Sequence, residues 1–489
     1  PQGSGKIKAK MIEQGYISPK LLLYAGLITG LAVIAICSGS GSLSGVIAVM
    51  LLPVALYYLI QTLRFPVVAF YGLFILNYFI NYIIRYGQLS GFSVIMDVGL
   101  FGTLFIALTH SILSRKLPWE NGRNILTAGC LLWSLYCLLE VANPTATFEA
   151  WSASRGIIYT GLLTAFLGSV LINRLKYVKQ LVFILSILVL LAVLKTLIQK
   201  YIGFDSLEKV WLAQGGAKTH IIATGTRYFS FFTDAGNLGS NMGMAGVLYG
   251  IIAFYTPEKR YKIYYAIVAS LGIYAMFLSG TRGAIAVPLG GMLLFALINK
   301  QVSMMLMTGL LGISIYIFFA HTYIGQDNPM IRRMRTAFNP TEDASYNVRA
   351  ENKKKLAVYL KKRPFGEGLG LGGVEAQRFA MRVTTVIPHD STYVKLWMET
   401  GIVGLSLYLG VLITSLLRAC YIVMFRIKNK EFRGILTAML CGVFGLMVSA
   451  YGNAFFNQFP TQIIVFTFLA ATLNGQRIDA CIHRQNITN

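Results

Sequence analysis

Acidic residues are scarce in this chain. It has 19 Asp+Glu against 43 Lys+Arg in 489 residues, and charged side chains of both signs make up only 13%, where ordinary soluble domains carry roughly a quarter. That deficit excludes a soluble globular enzyme. Cysteine is sparse too: Cys37, Cys130, Cys137, Cys420, Cys441 and Cys481 lie mostly inside apolar stretches, with no C-x-x-C and no Cys/His cluster. The pattern argues against a structural zinc site and against a disulfide framework. No A-x-A-like cleavage signal follows the first apolar run, which starts near Lys20, so that run reads as a signal anchor and not as a removed signal peptide. No half of the chain repeats the other, which removes the simplest sign of an inverted-repeat transporter.

What is present is apolar. Hydrophobic residues make up 55% of the chain and the mean hydropathy is +0.62. Apolar stretches of ~20 residues recur from end to end, each long enough to cross a hydrocarbon core about 30 Å thick. With no water there to satisfy the backbone, they must be helices. The expected fold is an all-α polytopic membrane protein with about 14 (12–14) transmembrane helices. The spans fall near 21–38, 43–63, 65–84, 92–113, 124–143, 156–173, 181–200, 236–255, 263–281, 283–298, 302–320, 397–417, 435–455 and 460–475.

Lys and Arg in the short loops set the orientation. KIKAK, SRKLPWENGR (114–123), NRLKYVK (173–179), PEKRYK (257–262), Asn299-Lys300 and the block Arg418 to Arg433 all fall on one side, which is therefore cytoplasmic and holds both termini. The expected organisation is a cytoplasmic tail (1–20), N-terminal transmembrane helices (21–200), a first periplasmic loop (201–235), further transmembrane helices (236–320), a large periplasmic loop (321–395), C-terminal transmembrane helices (396–475) and a cytoplasmic tail (476–489).

The formal charge of +24 would suggest nucleic acid in a soluble protein. Here its placement matters more. Arg227, Arg332, Arg333, Arg335, Arg349, Lys353 to Lys355, Arg363, Arg378 and Arg382 gather in the two long outer loops, where an anionic partner at the outer leaflet explains them most economically, and no nucleic acid is expected. In the larger loop, 347–373 reads as an amphipathic helix with Leu356, Tyr359 and Leu360 on its apolar side, ended by Pro364 and the glycines after it. A second short helix near 374–381 would put Arg378 and Arg382 on one face.

Within FLSGTRGAIAVPLG (277–290) one arginine, Arg282, sits where sequence otherwise reads as membrane helix. A charge in mid-membrane costs at least ~3 kcal/mol. Snorkelling or pairing with a carboxylate is one way to hold it, but a planar guanidinium fork also suits a diphosphate. Arg349 opens the loop helix; pairing with Glu351 or Asp343 is the competing role. TRYFSFFTDAGNLGSNMGM (226–244) sets Arg227 and Asp234 around an aromatic run before a helix start, and helix N-termini present N–H groups to anions. In PHDSTYVKLWMETGIVGL (388–405), His389 and Asp390 precede an apolar helix; either can accept a proton at an outer aqueous cavity, or Asp390 or Ser391 caps the helix.

SGTRGA (279–284), VRAENKKKLAVYLKKRPFGEGLG (348–370) and HDSTYVKLWMETGIVGL (389–405) resemble, in order, three motifs of the O-antigen ligase and O-antigen polymerase superfamily of bacterial integral membrane glycosyltransferases. They carry the resemblance from about Arg227 to Leu405. One departure concerns the proton acceptor: the family places Tyr three residues after its His, whereas Tyr393 is four after His389, so that Asp390 is in register. The resemblance implies a fold similar to GT-C-type glycosyltransferases, in the bacterial inner membrane with the site facing the periplasm. It implies inverting transfer of a glycan from undecaprenyl diphosphate to an acceptor sugar hydroxyl, with no metal and no cofactor. Arg282 and Arg349, helped by Arg227, would bind the diphosphate, and His389 or Asp390 would orient or deprotonate the acceptor. The acceptor is another lipid-linked repeat unit in a polymerase, slightly preferred on the basic outer surface, or a lipid A core sugar in a ligase. Membrane lipid and polysaccharide-assembly proteins are the further partners implied. A flippase of lipid-linked oligosaccharide would also want arginines near phosphate, but it should line a central cavity with charge from both halves of the chain.

Overall fold

The computed structural model describes residues 43–87, 94–114, 117–222, 225–300, 302–335, 338 and 344–488. The expected first span at 21–38 lies outside them, as do the N-terminal tail, Asn339-Pro340 and Glu342-Asp343. Among the described residues, the helices of six residues or more are α1 (Leu43–Arg64), α2 (Pro66–Gly87), α3 (Val94–Ser114), α4 (Ile125–Leu139), α5 (Phe148–Ala153), α6 (Arg155–Leu171), α7 (Leu175–Tyr201), α8 (Ser206–Trp211), α9 (Ala235–Tyr255), α10 (Lys259–Leu278), α11 (Ala286–Asn299), α12 (Val302–His321), α13 (Pro329–Arg335), α14 (Ala344–Leu360), α15 (Thr392–Phe425), α16 (Lys430–Ser449), α17 (Thr461–Leu473) and α18 (Gly475–Thr488), with longer irregular segments between α8 and α9 and between α14 and α15. Strand is limited to two residues on each side of a hairpin, Ile221–Ile222 with Gly225–Thr226.

The chain is therefore an all-α polytopic membrane protein. Ten helical segments among the described residues are long and apolar enough to cross a membrane, and Gly312–His321 and Thr461–Leu473 are shorter apolar helices. Two compact units divide the described residues, those up to Ala69 with Ile106–Ser114, and those of 70–105 with those from 117 onward. All candidate site residues belong to the second.

That unit is organised around α9, α16 and α17. Buried residues fill 78% of the α9 window and 83% of that of α16, against 33% for α10, which sorts the first two into the interior and leaves α10 a face for lipid. α9 packs on α10, α11 and α16, and α17 packs on α6, α15 and α16. Small residues allow these approaches: a Cβ at Gly291 of α11 would lie 2.9 Å from the Cys441 carbonyl of α16. Helices in lipid gain by such close backbone contact, because apolar burial alone gives no preference for a neighbouring helix over a lipid tail.

Candidate functional site

Three segments meet at the turn between α10 and α11. Gly280 takes φ +58°, a left-handed conformation that an L side chain resists, and Arg282, half-buried, opens a single 3-10 turn into α11. Arg333 of α13 donates from Nε to the Gly280 carbonyl at 2.5 Å. Arg227 donates from Nη2 to Thr281 Oγ1 at 3.0 Å and from Nη1 to the Thr219 carbonyl at 3.1 Å. Thr281 in turn donates to the Ala235 carbonyl at 2.9 Å, pinning the turn to the start of α9. Burial lowers the Arg227 pKa from its ordinary value; Asp234 opposes the shift and Arg282 adds to it.

The loop carrying Arg227 is held from behind. Gln199 Oε1 accepts from Ser230 N at 3.0 Å and Phe229 N at 3.3 Å. Arg85 of α2 donates from Nη1 to the Ser230 carbonyl at 3.1 Å and from Nη2 to that of Phe232 at 2.6 Å, with its guanidinium 4.4 Å from the ring centroids of both Trp211 and Phe229. One expectation needs correction here. The first N–H groups of α9 are not offered to a ligand, because Asp234 caps them, accepting from Gly236 N at 2.6 Å and Asn237 N at 3.0 Å.

Arg349 lies elsewhere, on α14. The helix ends at Leu360, and its apolar side is the expected one: Leu356 and Leu360 are buried with Ile387 and Met398, and Tyr359, Val394 and Trp397 pack around them. Glu351 pairs with Lys355 at 2.8 Å, and Asp343 lies outside the described residues. A cavity of about 410 Å³ opens beside the helix, lined by Arg349, Asn352, Lys353, Asp390, Ser391 and Tyr451 among others. Lys353 Nζ stands 4.3 Å from the Tyr451 ring centroid.

His389 and Asp390 diverge. Ser391 takes over the capping of α15, its Oγ accepting from Tyr393 N at 3.2 Å, and Asp390 is left at the cavity with Arg349 and Lys353. Partial enclosure raises the Asp390 pKa, and Arg349 and Lys353 oppose the rise. His389 turns the other way, its ring against Gly373, where a Cβ would collide with the imidazole. Burial pushes the His389 pKa down to about 4; Lys395 adds to the shift, and Glu375 and Asp234 oppose it. The imidazole is therefore neutral near pH 7. Tyr393 has no part in either group, its hydroxyl donating to the Met447 carbonyl at 2.7 Å.

The glycine segment after Pro364 docks where α15 is broken. Gly401 takes φ +64°, and Glu367 N and Gly368 N donate to the carbonyls of Met398 and Glu399 at 2.9 and 3.0 Å, replacing helical bonds lost at the break. Glu367 is buried; its Oε2 accepts from Tyr359 at 2.9 Å and lies 3.3 Å from Arg363 Nε. The expected helix over 374–381 is shorter than proposed. A 3-10 turn covers Val374–Arg378, and Arg382 begins another turn at φ −136°, 3.7 Å from Glu367. Arg378 and Arg382 therefore share no helical face, because Arg382 opens a separate turn in which its N–H donates to Thr385 Oγ1 at 2.8 Å. Behind the glycines lies a second cavity of about 290 Å³, which includes Ser154 and Gly156 from the N-terminal helices together with Glu375, Arg378, Lys395 and Glu399.

The structure thus groups Arg227 with Arg282, and Arg349 with Asp390, and joins the two groups through the end of α16. Ser449 Oγ donates to the Gly283 carbonyl at 2.9 Å, Ser391 Oγ donates to that of Ala450 at 3.2 Å, and Thr392 Oγ1 donates to that of Asn453 at 3.1 Å. Sequence reasoning did not single out Arg85, Glu367, Arg333 at the turn, or the segment Ser449–Asn453. A buried-arginine signal like that of Arg282 was available for Arg85. Serine, glycine and asparagine after an apolar helix carry no such signal. No group of three or more His, Cys, Asp or Glu able to hold a metal gathers among the described residues.

Residues 266–409 match the model of a family described as O-antigen ligase. The match holds Arg282, Arg349, His389 and Asp390, with Arg227 outside it. No curated protein matches the chain. The family match supports a multi-pass membrane protein with a glycosyltransferase-like role in O-antigen assembly, acting on lipid-linked glycan and acceptor substrates in general.

Proposed function

We propose that the O-antigen ligase domain at residues 266–409 makes this chain an inverting glycosyltransferase of the bacterial inner membrane, with its site at the periplasmic face. It transfers a glycan from undecaprenyl diphosphate to an acceptor hydroxyl. The observation that supports this reading is that the turn after Arg282 and the start of α15 beside Arg349 both bond to the end of α16, at Ser449 and Ala450. The acceptor oxygen forms a bond to the anomeric carbon as the bond from that carbon to the diphosphate oxygen breaks. The electron pair leaves with undecaprenyl diphosphate, and the acceptor proton passes to the protein.

Negative charge grows on the leaving diphosphate as the bond breaks, so guanidinia aimed at it stabilise the transition state more than the ground state. Arg282, Arg227 and Arg349 take this role, each worth roughly 10²–10³ in turnover. His389, neutral near pH 7, takes the proton, and Asp390 orients Arg349 and Lys353. The scheme calls on no metal and no cofactor. Another lipid-linked repeat unit is the preferred acceptor, because the outer basic surface suits a growing anionic glycan as well as a diphosphate.

The test is transfer by purified protein in lipid, supplied with undecaprenyl diphosphate-linked oligosaccharide with and without a lipid A core acceptor. A ladder of longer lipid-linked products without the core acceptor, lost in Arg282→Ala, supports the polymerase. A single transfer that requires the core makes the chain a ligase. Lipid-linked sugar crossing the bilayer with no product formed overturns the catalytic reading in favour of transport.

A further inference from the structure

The first turns of α15 separate two cavities. Asp390, Ser391 and Val394 face the cavity of Arg349, while Thr392, Lys395, Leu396 and Glu399 face the other, at the i, i+3, i+4, i+7 spacing of a single helical stripe. The second cavity is not used by the diphosphate chemistry. Its volume of about 290 Å³ sits at the small end of ligand pockets, ~300–1,000 Å³.

Its lining has the composition that recognises a sugar. Gln462 and the Nδ2 group of Asn457 contribute amide groups, Glu375 and Glu399 carboxylates, and Phe379 and Phe459 half-buried rings, while the Gln458 amide is taken up by Thr233, Asn237 and the Ala454 carbonyl. Such amides and carboxylates pair with vicinal hydroxyls, and rings cover the apolar face of a pyranose. Glu399 is the most telling of these. The residue is 2% exposed; the backbone N–H groups of Gly370 and Gly372 and the Lys395 ammonium, its Nζ 4.0 Å away, act on the carboxylate, but Oε1 has no donor at hydrogen-bond distance and angle among the described residues. A buried carboxylate oxygen left without a donor is costly, and a hydroxyl of a bound ligand supplies the donor. The cavity also adjoins the proton acceptor, since Glu375 and Lys395 both act electrostatically on His389.

We propose that this second cavity binds the acceptor saccharide, with Glu399 Oε1 accepting a hydrogen bond from one of its hydroxyls and Arg378 closing the rim. The proposal rests on the glycosyltransferase reading. It assigns donor diphosphate and acceptor sugar to opposite faces of one helix start, with His389 beside the boundary.

The test uses full-length protein in lipid nanodiscs, Glu399→Gln and Arg378→Ala, and two probes measured by equilibrium binding: undecaprenyl diphosphate, and lipid-free oligosaccharide released from the substrate glycan or the core. Arg378 is exposed, so its replacement leaves folding intact and serves where Glu399→Gln fails to fold. Oligosaccharide affinity is expected to fall roughly tenfold in both variants, with undecaprenyl diphosphate affinity unchanged and the acceptor KM rising more than kcat falls. Loss of undecaprenyl diphosphate binding in Arg378→Ala, with saccharide binding retained, overturns the proposal and gives the cavity to the donor. Unaltered saccharide binding in both variants also overturns it, while leaving the glycosyltransferase reading intact. Wild-type protein that binds neither probe removes that reading itself.

Discussion

Around Gly280 the guanidinia of Arg227 and Arg333 are tied to backbone and hydroxyl oxygens of a turn that membrane helices fix on both sides. Around Asp390 the basic groups hang from one helix, α14, which rests on a small cluster of Leu356, Leu360, Ile387 and Met398. The first region is held by polar contacts made at the arginines themselves, and the second by apolar packing on the far side of the helix that carries them. On the proposed function both regions offer positive charge to an anion, and the polar-bonded turn is expected to be the more rigid support and the apolar-packed helix the more adjustable one. A rigid half suits the diphosphate of the proposed donor. An adjustable half suits a lipid-linked chain that must enter and leave.

The sharpest break of this comparison is at the rigid half. Arg282→Lys keeps the charge and loses the planar fork, and turnover is expected to fall roughly 10²–10³-fold. Arg349→Lys, on the adjustable helix, is expected to cost about tenfold, because a flexible ammonium can follow a support that moves. Equal losses in the two variants, measured as kcat with saturating donor, would dissolve the distinction.

Next in size are two changes that touch no proposed ligand. Leu356→Ala removes a fully buried side chain from the cluster under α14, a change that costs roughly 2–5 kcal/mol in well-packed cores. It should raise donor KM and speed proteolysis within α14 while leaving α9 to α11 protected. Arg85→Met leaves the carbonyls of Ser230 and Phe232 without their donor, at ~1–3 kcal/mol for each buried group. It should lower kcat through Arg227, and hydrogen exchange should rise at residues 228–233 and not in α14. Exchange that rises in both places would mean the two halves are one mechanical unit.

The helices and the arginines were legible in the sequence for different reasons. Apolar length marks a span whatever its neighbours, so from 43 onward each expected span meets a helix, with ends moved by a few residues. The apolar side of α14 was legible because Leu356, Tyr359 and Leu360 repeat at helical spacing. What the sequence hid depends on contacts between distant segments. Gly401 and the glycines after Pro364 look like generic breakers until the carbonyls of Met398 and Glu399 are seen to receive the N–H groups of Glu367 and Gly368. The start of α9 reads as a helix terminus open to an anion until the bonds from Gly236 and Asn237 to Asp234 close it. Ser154 and Gly156 carry no motif, and only the packing of the glycine segment brings them to a cavity with Glu399. Arg378 and Arg382 have helical spacing in the sequence, but the Thr385 hydroxyl, three residues after Arg382, starts a separate turn there.

The smallest expected effect decides between the two adjacent residues proposed to take the proton. His389 has its pKa pushed down to about 4 by burial, with Lys395 adding to the shift. A pKa below the ordinary value means that protonation is resisted. Stability that depends on the neutral ring is complete above about pH 6.5 and is lost as pH falls toward 4, whereas activity that depends on it falls only as pH approaches about 4. Removing the Lys395 charge in Lys395→Met relieves part of the shift, so the acid limb of kcat/KM should move to higher pH by less than ~1 unit. Asp390 answers to other charges, Arg349 and Lys353, which oppose the rise in its pKa caused by enclosure. If Asp390 is the base, Lys353→Met moves the acid limb upward and Lys395→Met leaves it in place. The two lysines lie on opposite sides of the α15 start, so a pair of pH profiles assigns the proton to one cavity or the other.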